Sequence, residues 1–298
     1  MIKKSKKVVV FYHDRCLDGF TSAYYAYKKY KNKADYIPLK HGTHNQTLKE
    51  HGIPISKLRG KVIYFLDFCL EQDEMDKVLG SAKKVVVLDH HVGVQDIVEN
   101  IKGSVFGDGV SGAYLSHRYF FPKERTPRLA HYVSIGDTYS FSKNKRTNGI
   151  EQAILSYLHV FEFDFAVFRR LEKELEDRNK IKEIIEKGKL LRASFAKMLE
   201  RQIGSAREIK FDKHKVLAIN ASGVFRSHLG HELAKRTGTF GIVYKFADGI
   251  LKLSLRGVGK IDLSKLAKKY GGGGHFNAAG ISLTDKKQIQ KFIDQIIK

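Results

Sequence analysis

The sequence predicts an α/β protein: a mostly parallel, doubly wound sheet domain joined by a helical linker to a smaller α/β domain. Three observations carry that expectation. Short β-branched runs alternate with helical patterns through the first 90 residues, the signature of a parallel sheet covered on both faces. Residues 163–203 are charge-rich, helix-forming and free of proline. Beyond them the strand pattern returns, with a hairpin signal and a run of four glycines. The division expected is therefore 1–162, a linker over 163–205, and 206–298.

Each element has its own reason. "KVVVFY" (7–12), "KVIYFL" (61–66) and "KKVVVL" (83–88) are short, apolar and β-branched, and each gives way to polar residues. "ADYIPL" (34–39) is a weaker strand, and Pro38 points to an edge or a strand end. Helical patterns fill 20–31 and 70–82 between them. The 163–203 stretch lacks strict heptads, so it is a connecting helix or helix pair and not a dimeric coiled coil. "HKVLAIN" (214–220) is a strand, and 239–257 hold two strands around the turn Asp248-Gly249. A helix over 261–270 then leads into "GGGGHFNAAG" (271–280).

Composition narrows the class. Apolar residues at 42% and charged residues at 29% are ordinary for a globular chain and argue against disorder. Two cysteines, no Cys-x-x-Cys pair and no secretory signal fit a reducing cytoplasm, and no stretch suggests a membrane. Lys plus Arg exceed Asp plus Glu by 54 to 32, a net +22, which favours a phosphate-rich partner such as nucleic acid, nucleotides or polyphosphate. The lysines are spread along the chain, so a solvated surface would give the same count. The sequence does not set the oligomeric state, and a homodimer is compatible with it.

The polar residues that follow the strands are more informative. "VVVLDHHVGV" (85–94) ends a buried run on Asp89, His90 and His91. The first strand ends in His13 and Asp14, with Asp18 beyond, and the 61–66 strand ends in Asp67. A further apolar segment, 129–141, delivers Asp137. In a parallel sheet such positions lie at the carboxyl edge, where ligand sites form. Singly, each Asp would serve as a helix N-cap and each His as a satisfied core residue. Together, clustered carboxylates repel unless cations or protons neutralise them. Aspartates with neutral imidazoles suit Mn²⁺ or Mg²⁺, and a bridging carboxylate can hold two such ions about 3.5–4 Å apart.

Other chemistries find less support. "GDGVSG" (107–112) has the dinucleotide-loop spacing, but it follows the fourth strand and no acid stands about 20 residues on. Ser111-Gly112 is better read as a helix start. No Gly-Lys is followed by Ser or Thr, which excludes a Walker loop, and no Gly-x-Ser-x-Gly elbow is present. Water is the expected attacker.

Asp89-His90-His91 after a hydrophobic strand resembles the motif of the DHH phosphoesterases, and "GGGGHFNAAG" resembles the glycine-rich signature of their DHH-associated second domain. His13…Asp18-Gly19, Asp67, the triplet, Asp137, a helical linker and the glycine-rich loop arrive in the family's order, so the resemblance spans the chain. It implies a two-metal hydrolase in which water attacks phosphorus. His13 and Asp67 would hold one Mn²⁺; Asp18, Asp67, His90 and Asp137 would hold the other, with Asp67 as the bridge. Asp89 and His91 would be catalytic, Asp89 orienting an imidazole and His91 contacting substrate phosphate. The backbone of Gly272, Gly273 and Gly274, with His275 and Arg256, would bind substrate. Arg226 is a weaker candidate for the same role.

One position departs from the family. Its first motif usually carries two aspartates after the histidine, and here Cys16 stands two before Asp18. Three arrangements are open: Asp14 could substitute, the Cys16 thiolate could bind, or the first metal could have only His13 and Asp67. Thiolates prefer softer metals than Mn²⁺, which favours Cys16 as a neighbour and not a ligand. The function expected is hydrolysis of phosphodiester bonds in short oligonucleotides or dinucleotides. The alternatives are a phosphomonoesterase or exopolyphosphatase on the same scaffold, or a non-catalytic nucleic-acid-binding protein with a degenerate metal site.

Overall fold

Period-two alternation in three strands sets the architecture of the first unit. In β1 (Val8–His13), β3 (Val62–Leu66) and β4 (Lys84–Asp89), Val10, Tyr12, Tyr64, Leu66, Val86 and Leu88 enter one core, while Val9, Phe11, Ile63, Phe65, Val85 and Val87 enter another. A strand that is apolar on both faces must be covered on both. Each fully buried Val, Leu or Phe contributes roughly 1.5–3 kcal/mol. With the edge strands β2 (Ala34–Leu39) and β5 (Val105–Phe106), the order is β2-β1-β3-β4-β5, and every described pairing is parallel. This computed structural model describes residues 2, 3, 5–40, 48–247 and 249–297.

The helices divide between the two faces. α1 (Leu17–Tyr30), α4 (Gly112–Phe120), α5 (Arg128–Asp137), α6 (Lys145–Leu158) and α7 (Phe165–Glu176) cover the first face, while α2 (Gln72–Ser81) and α3 (Gln95–Glu99) cover the second. The range 163–205 holds α7 and α8 (Lys180–Ile203). It is more than a spacer: Phe168, Leu171, Leu175 and Ile184 are buried in the first core. The chain divides into compact units 1–192 and 193–298, with the division inside α8.

The second unit has a mixed six-stranded sheet, ordered β10-β11-β9-β8-β7-β6. Its strands are β6 (Arg207–Phe211), β7 (His214–Asn220), β8 (Phe240–Ala247), β9 (Ile250–Gly257), β10 (Gly273–His275) and β11 (Ala278–Leu283). α10 (Leu263–Lys268) and α11 (Lys286–Ile297) pack on one face, and α9 (Arg226–Thr237) packs on the other. Gly249 takes a positive φ in the β8–β9 turn, whereas Asp248 lies outside the described residues. Among the described residues, no helix is long and apolar enough to cross a membrane.

Candidate metal centre

Three strands and two helices deliver the expected side chains to one edge. β1 ends on His13, and the chain turns through Arg15 at φ 53° to Cys16, which opens α1. Gly19 permits the tight entry: a Cβ there would stand 2.4 Å from the His13 carbonyl oxygen. Asp18, in the first turn of α1, is thereby buried. Asp67 follows β3 at φ 52°, a left-handed conformation that aspartate tolerates better than most residues. β4 closes on Asp89, with His90 and His91 beyond. Strand order reverses between β1 and β3, so His13 and Asp67 flank the switch point where α/β sheets form ligand crevices.

Asp137 arrives by another route. The 129–141 stretch is not a strand reaching the sheet edge; Asp137 is the last residue of α5. Its buried residues Leu129, Ala130 and Val133 stand at i, i+1 and i+4, the spacing of one helical face.

The ligand atoms converge closely. His13 Nδ1 lies 3.3 Å from Asp67 Oδ2, and His90 Nε2 lies 3.3 Å from both Asp67 Oδ1 and Asp137 Oδ2. Asp18 Oδ2 is 3.9 Å from His90 Nε2. Three groupings have ligand atoms mutually within 4.8 Å: His13, Cys16 and Asp67; Asp18, His90 and Asp137; and Asp67, Asp89, His90 and His91. The first grouping bears on the open question at the first motif. Cys16, not Asp14, stands with His13 and Asp67; the Asp14 carboxylate lies 3.8 Å from the Arg15 guanidinium.

Within the triplet, Asp89 organises its neighbours. Its Oδ1 accepts from the backbone amides of His90 at 2.7 Å and His91 at 3.1 Å, and lies 2.7 Å from His91 Nδ1. This is the geometry of a carboxylate that orients an imidazole.

Asp18 depends on a feature that sequence reading noticed but did not connect to it. Gly112 and Ala113, at the start of α4, donate their amides to Asp18 Oδ2 and Oδ1 at 2.7 and 2.8 Å. A helix N-terminus favours a carboxylate there. The Ser111 hydroxyl also bonds this carboxylate, which still leaves a lone pair for a cation. Gly112 is also a steric requirement: a Cβ would stand 2.6 Å from Asp67 Cβ and 3.0 Å from Asp18 Oδ2. Ser111-Gly112 does start a helix, as the sequence indicates; only the fold brings that helix to Asp18, 94 residues away.

The electrostatics are those of a site short of positive charge. Burial, then the charges of Asp67 and Asp137, push the Asp18 carboxyl well above its ordinary range. Burial and Asp67 raise Asp137, against the pull of His90, His91 and His13. Burial would raise Asp67 too, but the hydrogen bond from His13, the close approach of His90 and the charge of His91 hold it below the usual carboxylate range. His91 is pushed up to about 9, first by its hydrogen bond to Asp89. Burial, Asp67 and Asp18 raise the Cys16 thiol, against the amides of Gly19 and Asp18.

The residues fit a divalent cation. Asp67 Oδ1, Asp89 Oδ2 and His90 Nε2 are buried without a hydrogen-bond partner among the described residues. Asp67 Oδ1 and His90 Nε2 approach each other, but not with the directionality of a hydrogen bond. Buried polar atoms normally have partners, and a bound cation would satisfy an acidic and imidazole set of this kind.

In the second unit, His275, Ala278 and Arg256 form one row across β10, β11 and β9. Arg256 donates to the Leu255 carbonyl and to Ser227 Oγ, while Arg226 opens α9 and is exposed. Two glycines of the run have packing reasons: a Cβ on Gly272 would meet the Gly280 carbonyl oxygen at 2.1 Å, and one on Gly274 would meet that of Ala278 at 2.4 Å. Gly273 pairs with Gly280, and the side chain of His275 lies outside what the structure describes.

Fold and site together define an α/β protein that gathers acids and imidazoles able to hold a metal ion at the carboxyl edge of a parallel sheet. Residues 215–298 match the DHHA1 domain. Uncharacterized protein R106 of Acanthamoeba polyphaga mimivirus is 26% identical over 313 residues, covering 98% of this chain and 71% of that protein. Oligoribonuclease NrnB of Bacillus subtilis (strain 168) is 23% identical over 232 residues, covering 72% of this chain and 57% of NrnB. A solved DHH domain, from a member of a family of ribosomal proteins, superposes with a TM-score of 0.57 at 11% identity, over 99% of this chain and 86% of that one. The chain is thus similar to DHH-family proteins, with the DHHA1 match confined to residues 215–298.

Proposed function

We propose that this protein is a Mn²⁺-dependent phosphodiesterase acting on short oligonucleotides or linear dinucleotides. One observation carries the reading: His13, Asp18, Asp67, His90 and Asp137, from four separate segments, converge, and Asp67 Oδ1 and His90 Nε2 are buried without a hydrogen-bond partner among the described residues. The relative named an oligoribonuclease and the net charge of +22 support an oligoanionic substrate. Two divalent cations, when bound, polarise a phosphoryl oxygen and make water a competent nucleophile near neutral pH.

The chain's own residues divide the remaining work. Asp67 would bridge the two positions; His13 would serve one, and Asp18, His90 and Asp137 would serve the other. Asp89 fixes the His91 ring through the 2.7 Å contact, leaving the imidazolium to meet a substrate phosphate. In the second unit, Arg256 and the backbone of Gly272, Gly273 and Gly274, with His275, bind the anionic substrate.

The test is to incubate the full chain with Mn²⁺ and di- to pentaribonucleotides, cyclic dinucleotides and polyphosphate, and to identify products. Mononucleotides released from dinucleotides are expected, with turnover lost in Asp67→Ala. Orthophosphate alone would overturn the reading in favour of a monoesterase or polyphosphatase. RNA binding without Mn²⁺-dependent turnover would make the protein a non-catalytic binder.

A further inference from the structure

We infer that Cys16 is a metal ligand, and that with His13 and Asp67 it forms a position for a thiophilic divalent cation such as Zn²⁺, distinct from the oxygen- and nitrogen-lined position of Asp18, His90 and Asp137. The inference rests on the metal-centre reading above and deepens it. The two positions differ in donor chemistry. Asp18, His90 and Asp137 offer two carboxylates and an imidazole, a hard set suited to Mn²⁺ or Mg²⁺. His13, Cys16 and Asp67 offer nitrogen, sulfur and oxygen with ligand atoms within 4.8 Å of one another. Sulfur shifts selectivity towards Zn²⁺, and three protein ligands with an open fourth position is the usual form of a catalytic zinc site.

The cysteine does not stand alone. Asp67 is 2% exposed; its Oδ2 stands 3.3 Å from His13 Nδ1, while its Oδ1, 3.3 Å from His90 Nε2, is buried without a hydrogen-bond partner among the described residues. The backbone also fixes Cys16: it opens α1 after the positive-φ turn at Arg15, and Gly19 packs that first turn against His13. On coordination the thiol proton passes to solvent, and the sulfur binds as thiolate. The expectation from sequence, with Cys16 a neighbour and not a ligand, is thereby reversed.

Cobalt reports sulfur ligation directly. Cys16 and Cys69 are the only cysteines, and Cys69 Sγ is instead 3.3 Å from the Leu70 carbonyl oxygen. The full-length Cys69→Ser protein, titrated anaerobically with Co²⁺, should develop a near-ultraviolet thiolate-to-cobalt charge-transfer band that Zn²⁺ bleaches. Adding Cys16→Ser should abolish the band. Cys16→Asp, which supplies a hard ligand, should raise calorimetric Mn²⁺ stoichiometry from one to two per chain and keeps the inference testable if the serine variant fails to fold. Visible cobalt bands without the charge-transfer band would overturn the inference and leave the metal centre intact. Absence of any cobalt uptake would overturn both.

Discussion

His91 and Asp89 show how much a single contact does at this edge. Their 2.7 Å contact is the main reason the imidazole titrates near 9, above its ordinary 6.5. A histidine whose folded value is raised contributes stability that is fully present below its unfolded value and lost as pH rises through its folded value. In metal-free protein the pair should therefore stabilise the fold below about pH 6.5, and that stabilisation should disappear by about pH 9. Asp18, Asp137 and His90 are shifted in the same direction, so the wild-type curve alone does not isolate the pair. Comparison with His91→Gln does. Melting temperatures in EDTA from pH 6 to 10 should fall more steeply for wild type than for the variant between 6.5 and 9; parallel curves would contradict the account. Because His91 is 42% exposed, solvent screening makes the difference modest.

At the scale of elements, the start of α4 is what makes the site possible. Its amides hold Asp18, and its first residue leaves no room for a side chain. Gly112→Ala should displace Asp18 or Asp67, weaken Mn²⁺ binding by at least about tenfold by analogy with disrupted ligand-orienting contacts, and cost about 1–3 kcal/mol by overpacking. Gly149→Ala in α6, where a Cβ meets nothing within 4 Å, should bind Mn²⁺ like wild type and gain about 1 kcal/mol from helix propensity. Calorimetric titration with Mn²⁺ distinguishes them; equal affinities would contradict the role given to α4. The same element marks the limit of what sequence conveys. The strands were legible because β-branched runs alternate with helical patterns, and the edge strand was legible from Pro38. The Asp18–Gly112 contact was not, since it joins residues 94 apart through a backbone amide that leaves no residue-type signal. The form of the Asp137 segment was not legible either, because a short apolar run does not by itself distinguish strand from helix.

At the scale of the whole molecule, the first unit is a parallel sheet with a core on each face, and its chemistry lies where strand order reverses. The identity of the acids and imidazoles there was readable because each interrupts or closely follows an apolar run. Their division into a sulfur-bearing and an oxygen-bearing set was not, because it depends on which ligand atoms face each other across the edge. The central claim is that these residues bind divalent cations as a unit. Anomalous diffraction at the manganese edge from Mn²⁺-soaked crystals tests it most directly. The account predicts a manganese peak within ligating distance of Asp18, Asp67, His90 and Asp137; full data with no peak there, or with manganese bound only elsewhere, would contradict it.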